Sequence, residues 1–129
     1  MIDHISLGVT DVPRSRGFYD AVLDTLGYRR LHDHEDVASA YGPEPPLYMF
    51  WICLPLDQGR PAAPANGTHI CFQAKNRAAV DAFHAEALTQ GGRDAGAPGL
   101  WPQYSETYYG AFAFDPDGHK IEAVCYAPA

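Results

Sequence analysis

The chain has 129 residues, a formal net charge of -7 with its histidines neutral, and nine Lys and Arg scattered along its length. That balance repels a nucleic-acid backbone or an anionic membrane surface, and no apolar run approaches the roughly 20 residues of a membrane span. The length suits one domain with a real core, and the opening MIDHISLGV lacks the basic flank and long apolar segment of a signal peptide. A single cytoplasmic domain is therefore expected, binding a small molecule, with neither nucleic acid nor membrane as partner. Cys53, Cys71 and Cys125 are odd in number and lie in apolar runs, where reduced cysteine serves as a small hydrophobe, so no disulfide is expected.

Ile2 to Val9 alternates, with Ile5, Leu7 and Val9 on one face and His4, Ser6 and Gly8 on the other, which predicts a strand with one apolar side. Asp11 is a suitable N-cap with Pro13 in the first turn. Phe18, Tyr19, Val22, Leu23 and Leu26 then recur at helical spacing until Gly27. Two short strands, Arg29 to Asp33 and Val37 to Tyr41, follow around the acidic run His34-Glu35-Asp36. After Pro43, Pro45 and Pro46, the run LYMFWICL from Leu47 to Leu54 is apolar on both faces and reads as a buried strand. Pro55 to Gly67, rich in Pro, Gly, Ala and Asn, is a connector.

The pattern then restarts at an offset of 65 residues: His4 falls on His69, Ile5 on Ile70, Leu7 on Phe72, Asp11 on Asn76, Phe18 on Phe83, Leu23 on Leu88 and Gly27 on Gly92. The second unit repeats strand (Thr68 to Ala74) and helix (Arg77 to Gln90), with Val80, Phe83, Ala87 and Leu88 as the buried stripe. An irregular piece, Arg93 to Pro102, precedes a strand from Thr107 to Phe114. The turn Asp115-Pro116-Asp117-Gly118 has the residues a tight reversal needs, and a last strand runs from Lys120 to Tyr126. The chain reads as α+β: two tandem βαβββ modules, roughly residues 1–56 and 66–129.

Glu122 is the anomaly, because alternation sets it on a face with Val124 and Tyr126. A buried carboxylate costs several kcal/mol, on the order expected for any buried ion, unless it is paired, hydrogen-bonded or metal-bound. The repeat makes His4 and His69 equivalent, both on the non-helical side of their strands. Should the modules pair about a pseudo-twofold axis, the two imidazoles meet and Glu122 joins them, a donor set that suits a divalent ion with positions left for water or substrate.

The opening IDHISLGVTD, the helix containing GFYDAVL, the GTHICFQA strand and the closing DPDGHKIEAV together resemble the vicinal oxygen chelate superfamily, the glyoxalase/bleomycin resistance/extradiol dioxygenase group, over essentially the whole chain. The resemblance implies an open eight-stranded barrel-like sheet around a central cavity, a divalent metal (Fe2+, Mn2+, Ni2+ or Zn2+) held by His4, His69 and Glu122, and a homodimer. Glyoxalase I enzymes have a fourth ligand, a Glu in the last strand of the first module that also serves as base. Leu47 to Leu54 contains no carboxylate, and Trp51 aligns there. Three protein ligands resemble extradiol dioxygenases and fosfomycin-modifying thiol transferases instead, and weaken the lactoylglutathione lyase reading.

Trp51, Ser6, Cys71, Trp101 and Tyr108 are the candidate pocket residues, and Tyr104 and Tyr109 are the phenols assigned a proton-transfer role. Tyr108 and Tyr109 point to opposite faces, so one of them at most lines the cavity. His32, Asp33, His34, Glu35 and Asp36 are read as a solvated loop or strand edge, His119 as a solvent-facing turn residue, and His84 as a helix-surface residue. The expected function is a metal-dependent enzyme acting on a small substrate that chelates the ion through adjacent oxygens. The alternative is a metal-free drug- or metabolite-binding pocket of the bleomycin-resistance type.

Overall fold

A computed structural model describes residues 1–129. In chain order the elements are β1 (Ile5–Gly8), α1 (Val12–Asp24), β2 (Arg29–His34), β3 (Ala38–Gly42), β4 (Phe50–Cys53), β5 (His69–Gln73), α2 (Arg77–Thr89), β6 (Arg93–Leu100), β7 (Tyr109–Phe114) and β8 (Lys120–Cys125). They form two four-stranded sheets of the same topology, β1-β4-β3-β2 and β5-β8-β7-β6. In each, the first strand pairs in parallel with the last and the rest is antiparallel. The helices begin alike too: Asp11 accepts from the Arg14 amide and Asn76 from the Ala79 amide, which satisfies a first-turn donor in both.

The α+β fold of two βαβββ modules is as expected, but the barrel is not closed within one chain, where the sheets remain separate. The reason is where the apolar faces point. Val9, Phe50, Ile52 and Tyr41 of the first module, and Phe72, Ile121, Ala123 and Ala111 of the second, share one core with Phe18, Val22, Val80 and Phe83 of the helices. Phe50 and Phe72 meet edge to face at 5.3 Å across the module boundary. Packing on the helical sides turns the opposite faces of both sheets outward.

Three expectations in the second module fail, two of them for the same cause. The segment expected to be irregular is the edge strand β6, whose pairing with β7 shifts register between Asp94 and Gly96 and again before Gly99. Bulges and glycines are the usual marks of an edge strand and hide its period-two pattern. β6 also covers the end of α2, so His84 is 7% exposed rather than on the surface, and its Nε2 lies 2.8 Å from Asp94 Oδ1. Leu88, expected in the stripe, is exposed in its place.

The turn after β7 holds the halves together. Gly118, at φ 90°, reverses the chain, while the Asp115 carboxylate accepts from the amides of Asp117 and His119 and from the buried Tyr19 hydroxyl at 2.6 Å. Asp117 accepts from the Thr10 amide and from Arg14. His119 does not face solvent as expected: its Nε2 donates to the Gly8 carbonyl at 2.7 Å.

Burial holds the Asp115 carboxyl above the usual carboxylate range, although the Tyr19 hydrogen bond and the nearby His119 act to lower it. A carboxyl raised by folding contributes most to stability while protonated and loses that contribution as pH rises through its folded-state value. Tyr19→Phe removes a donor to the ionised form. The variant is expected to lose about 1–3 kcal/mol of stability at neutral pH and clearly less as Asp115 becomes protonated. Urea denaturation at pH 7 and in the acid range measures both, and an equal loss at the two would contradict this account.

Candidate metal centre and its cavity

The pleat of β8 sends Ile121 and Ala123 into the core and Glu122 to the outward face of the second sheet, yet Glu122 is only 1% exposed. Its partners explain how that burial is tolerated. His69, at the start of β5, brings Nε2 to 3.1 Å from Oε1, with an imidazole side chain 42% exposed. The Tyr108 hydroxyl donates to Oε2. Gly110, in β7, leaves the space they occupy: a Cβ there would stand 3.1 Å from the Tyr108 ring and 3.2 Å from Oε2. Burial, followed by the hydrogen bond to Glu122, pushes the Tyr108 hydroxyl well above the ordinary phenol range.

Tyr108 belongs to the wall of an open cavity of about 590 Å³ over this sheet, lined also by His69, Trp101, Tyr104, Phe112, Lys120 and Glu122. Trp101 stacks with Tyr104 at 6.0 Å and meets Phe112 edge-on at 5.2 Å, and Tyr104 lies 5.0 Å from Tyr108. The cavity is thus an aromatic cup with an acid–imidazole pair in its floor.

Not every candidate residue reaches it. Tyr109, assigned a proton-transfer role with Tyr104, faces α2, where its hydroxyl donates to Asp81 at 2.6 Å. One residue of offset along a strand reverses the side-chain direction, and Tyr108 is the phenol at the carboxylate. Ser6 and Trp51 lie on the outward face of the first sheet, Ser6 bonded to Cys53 Sγ at 3.2 Å and Trp51 beside His32 at 6.0 Å. His32 therefore joins an aromatic group with Tyr48 and Trp51 rather than a free loop. His4 is also on that module, its side chain 54% exposed and its Nδ1 2.7 Å from Asp3. Within one chain His69 and Glu122 are brought together and His4 is not, and no group of three His, Cys, Asp or Glu suited to a metal forms.

The strand registers settle what replaces the missing carboxylate. Ser6 pairs with Trp51 in β1–β4, and its repeat equivalent Cys71 pairs with Glu122 in β5–β8. Trp51 thus holds in the first module the place that Glu122 holds in the second. Sequence reasoning did not single out Phe112 or Lys120 as cavity residues. Phe112 pairs with Glu122 across β7–β8 and Lys120 precedes Glu122 by two, so strand alternation places both on its face.

His69 and Glu122 supply two of the donors that a divalent ion would need. Two cis ligands at about 2.1 Å from an ion and near a right angle stand about 3 Å apart, and His69 Nε2 and Glu122 Oε1 are separated by 3.1 Å. The donors are imidazole and carboxylate, which suits first-row ions.

Two βαβββ modules thus carry a histidine and a carboxylate on neighbouring strands over an aromatic cavity. The chain belongs to the Glyoxalase/Bleomycin resistance protein/Dioxygenase superfamily, whose family model matches residues 1–123. It is 29% identical over 124 residues to glutathione transferase FosA of Serratia marcescens, covering 94% of this chain and 77% of that protein. Among solved structures, a glyoxalase/bleomycin resistance protein from Albidiferax ferrireducens T118 superposes with a TM-score of 0.84 at 35% identity, covering 95% of this chain and 97% of that one. The fosfomycin resistance protein FosX from Mesorhizobium loti shares the fold with a TM-score of 0.66 at 15% identity, covering 97% and 91% of the two chains.

Cys71 offers a test of the site's electrostatics. The residue is exposed, but burial of its thiol and then the Glu122 charge push it up to about 12. Cys71 in metal-free protein is therefore expected to alkylate slowly at pH 8, and Glu122→Gln, which removes the nearby charge, to accelerate it several-fold through a larger thiolate fraction. Peptide mapping after iodoacetamide treatment reads the rate, and an unchanged rate would show that the carboxylate does not act on the thiol.

Proposed function

We propose that this protein is a metal-dependent enzyme acting on a small substrate that chelates a divalent ion through adjacent oxygens, with His69 and Glu122 as ligands from one chain and His4 supplied by a second copy. The observation that carries the reading is the His69–Glu122 pair, spaced as two cis ligands under an aromatic cavity. The homodimer follows from the outward-facing sheets. Strand alternation sets His4 on the side of Ser6 and Trp51, and the pair occupies the outward face of the second sheet, so a partner laid first sheet to second sheet across a twofold axis would complete two equivalent sites. A bound ion would polarise the chelating oxygens as a Lewis acid.

The chain's own residues do the rest. Trp101, Tyr104 and Phe112 give the substrate apolar walls and exclude water from one side. Tyr108 keeps its proton and donates a hydrogen bond to Glu122, orienting the carboxylate rather than serving as a base at neutral pH. Tyr104, exposed at the rim, would donate to bound substrate. With Trp51 where a carboxylate would act as base, proton transfer between adjacent carbons is poorly served. Group transfer, in keeping with the similarity to glutathione transferase FosA, and ring-opening dioxygenation remain the reactions the site suits.

Metal analysis tests the ligand set. Wild-type protein is expected to bind about one manganese or nickel ion per chain, and Glu122→Ala and His4→Ala each to bind at least tenfold more weakly. Equal metal content in wild type and either variant would remove that residue from the set, and no metal in wild type would favour a metal-free binding pocket. Refolding the two variants together tests the sharing: mixed dimers contain one intact site of two, so about a quarter of wild-type binding should return. Sites built within single chains would give no recovery.

The missing base makes a second prediction. The methylglyoxal-glutathione hemithioacetal should turn over far below the ordinary enzyme range with nickel, zinc or manganese bound, and a rate above about 10 per second would show that another residue supplies the base.

A further inference from the structure

The cavity over the second sheet contains one ammonium group that no carboxylate of its own chain answers. Lys120 stands opposite His69 in the β5–β8 register and lines the cavity. Its Nζ lies 4.7 Å over the Phe112 ring and makes no ion pair. The carboxylate two residues away, Glu122, is already engaged by His69 and Tyr108. The remaining walls are flat: Trp101 and Tyr104 stacked at 17° between planes, with Phe112 edge-on to Trp101. A protein of net charge -7 repels anions at long range, so a cation held free inside such a cup favours a negative ligand only at the site itself.

We propose that Lys120 is the specificity-determining residue of this cavity, and that the class of ligand it selects is a planar aromatic acid. The acid group pairs with the Lys120 ammonium, the ring lies against Trp101 and Phe112, and neighbouring oxygens are left toward His69 and Glu122. An ammonium over an aromatic face keeps its charge available in the direction away from the ring, and a charge-assisted hydrogen bond inside a partly desolvated cavity is strong enough to discriminate acid from amide. The inference rests on the proposed function only in taking this cavity as the substrate site.

The test is calorimetric titration of metal-free and manganese-loaded protein with salicylate and with salicylamide, which share ring, phenol and size but differ in charge. Wild type is expected to bind salicylate at least about tenfold more tightly. Lys120→Met, which keeps an apolar stem over Phe112, should reduce salicylate to the level of salicylamide and leave salicylamide unchanged, the latter confirming an intact cavity. Lys120→Arg should retain the preference. A preference that survives Lys120→Met, or wild type that binds neither compound or both equally, overturns the assignment. If manganese neither binds nor alters either affinity while the Lys120-dependent preference holds, the metal reading fails and this one stands.

Discussion

The buried bond between Tyr19 and Asp115 is the constraint on which the arrangement of the molecule depends. It joins the first helix to the turn before the last strand across 96 residues of sequence, and around it the same turn takes hold of Gly8, Thr10 and Arg14. These contacts fix the modules with their helical sides together. Once that is settled, both remaining sheet faces must point outward, with His69 and Glu122 on the second and Ser6 and Trp51 on the first. The loop residues DPDGH thus decide which sheet faces stay open without lying on either.

The second-module face shows how a costly group is retained. An ionised carboxylate at 1% exposure is unfavourable by several kcal/mol, on the order seen for buried ions generally, unless its lone pairs are met. Here an imidazole takes one oxygen and a phenol the other, and a glycine in the adjacent strand removes the side chain that would crowd them. Each of these partners comes from a different strand or loop, so the position of Glu122 reports on the packing of β5, β7 and β8.

Much of the fold was legible because it is written twice. The offset of 65 residues carries both caps, both first strands and both helix stripes save Leu88, and alternation alone put Glu122 on an unusual face. Three things were not legible. The bulged strand Arg93–Leu100 breaks its own period with Gly96, Pro98 and Gly99, and His84 was misplaced because the strand that covers it was not seen. The meeting of His4 with His69 depends on which sides of the modules pack, a tertiary choice that hydrophobic phase inside each module leaves open. Tyr108 and Tyr109 could be divided between faces, but the proton-transfer role given to Tyr109 fell on the phenol that faces α2, since choosing between them required the register of β7 against β8.

The protein has two tryptophans, and neither belongs to the shared core. Trp51 stands on the outward face of the first sheet beside His32, and Trp101 in the cavity wall beside Phe112. Intrinsic fluorescence therefore reads the two open faces and is nearly blind to the packing between the helices. A ligand or a second copy covering those faces will shift emission with no change in fold, whereas loosening of the Phe18–Phe83 interior will show first in the tyrosine and backbone signals.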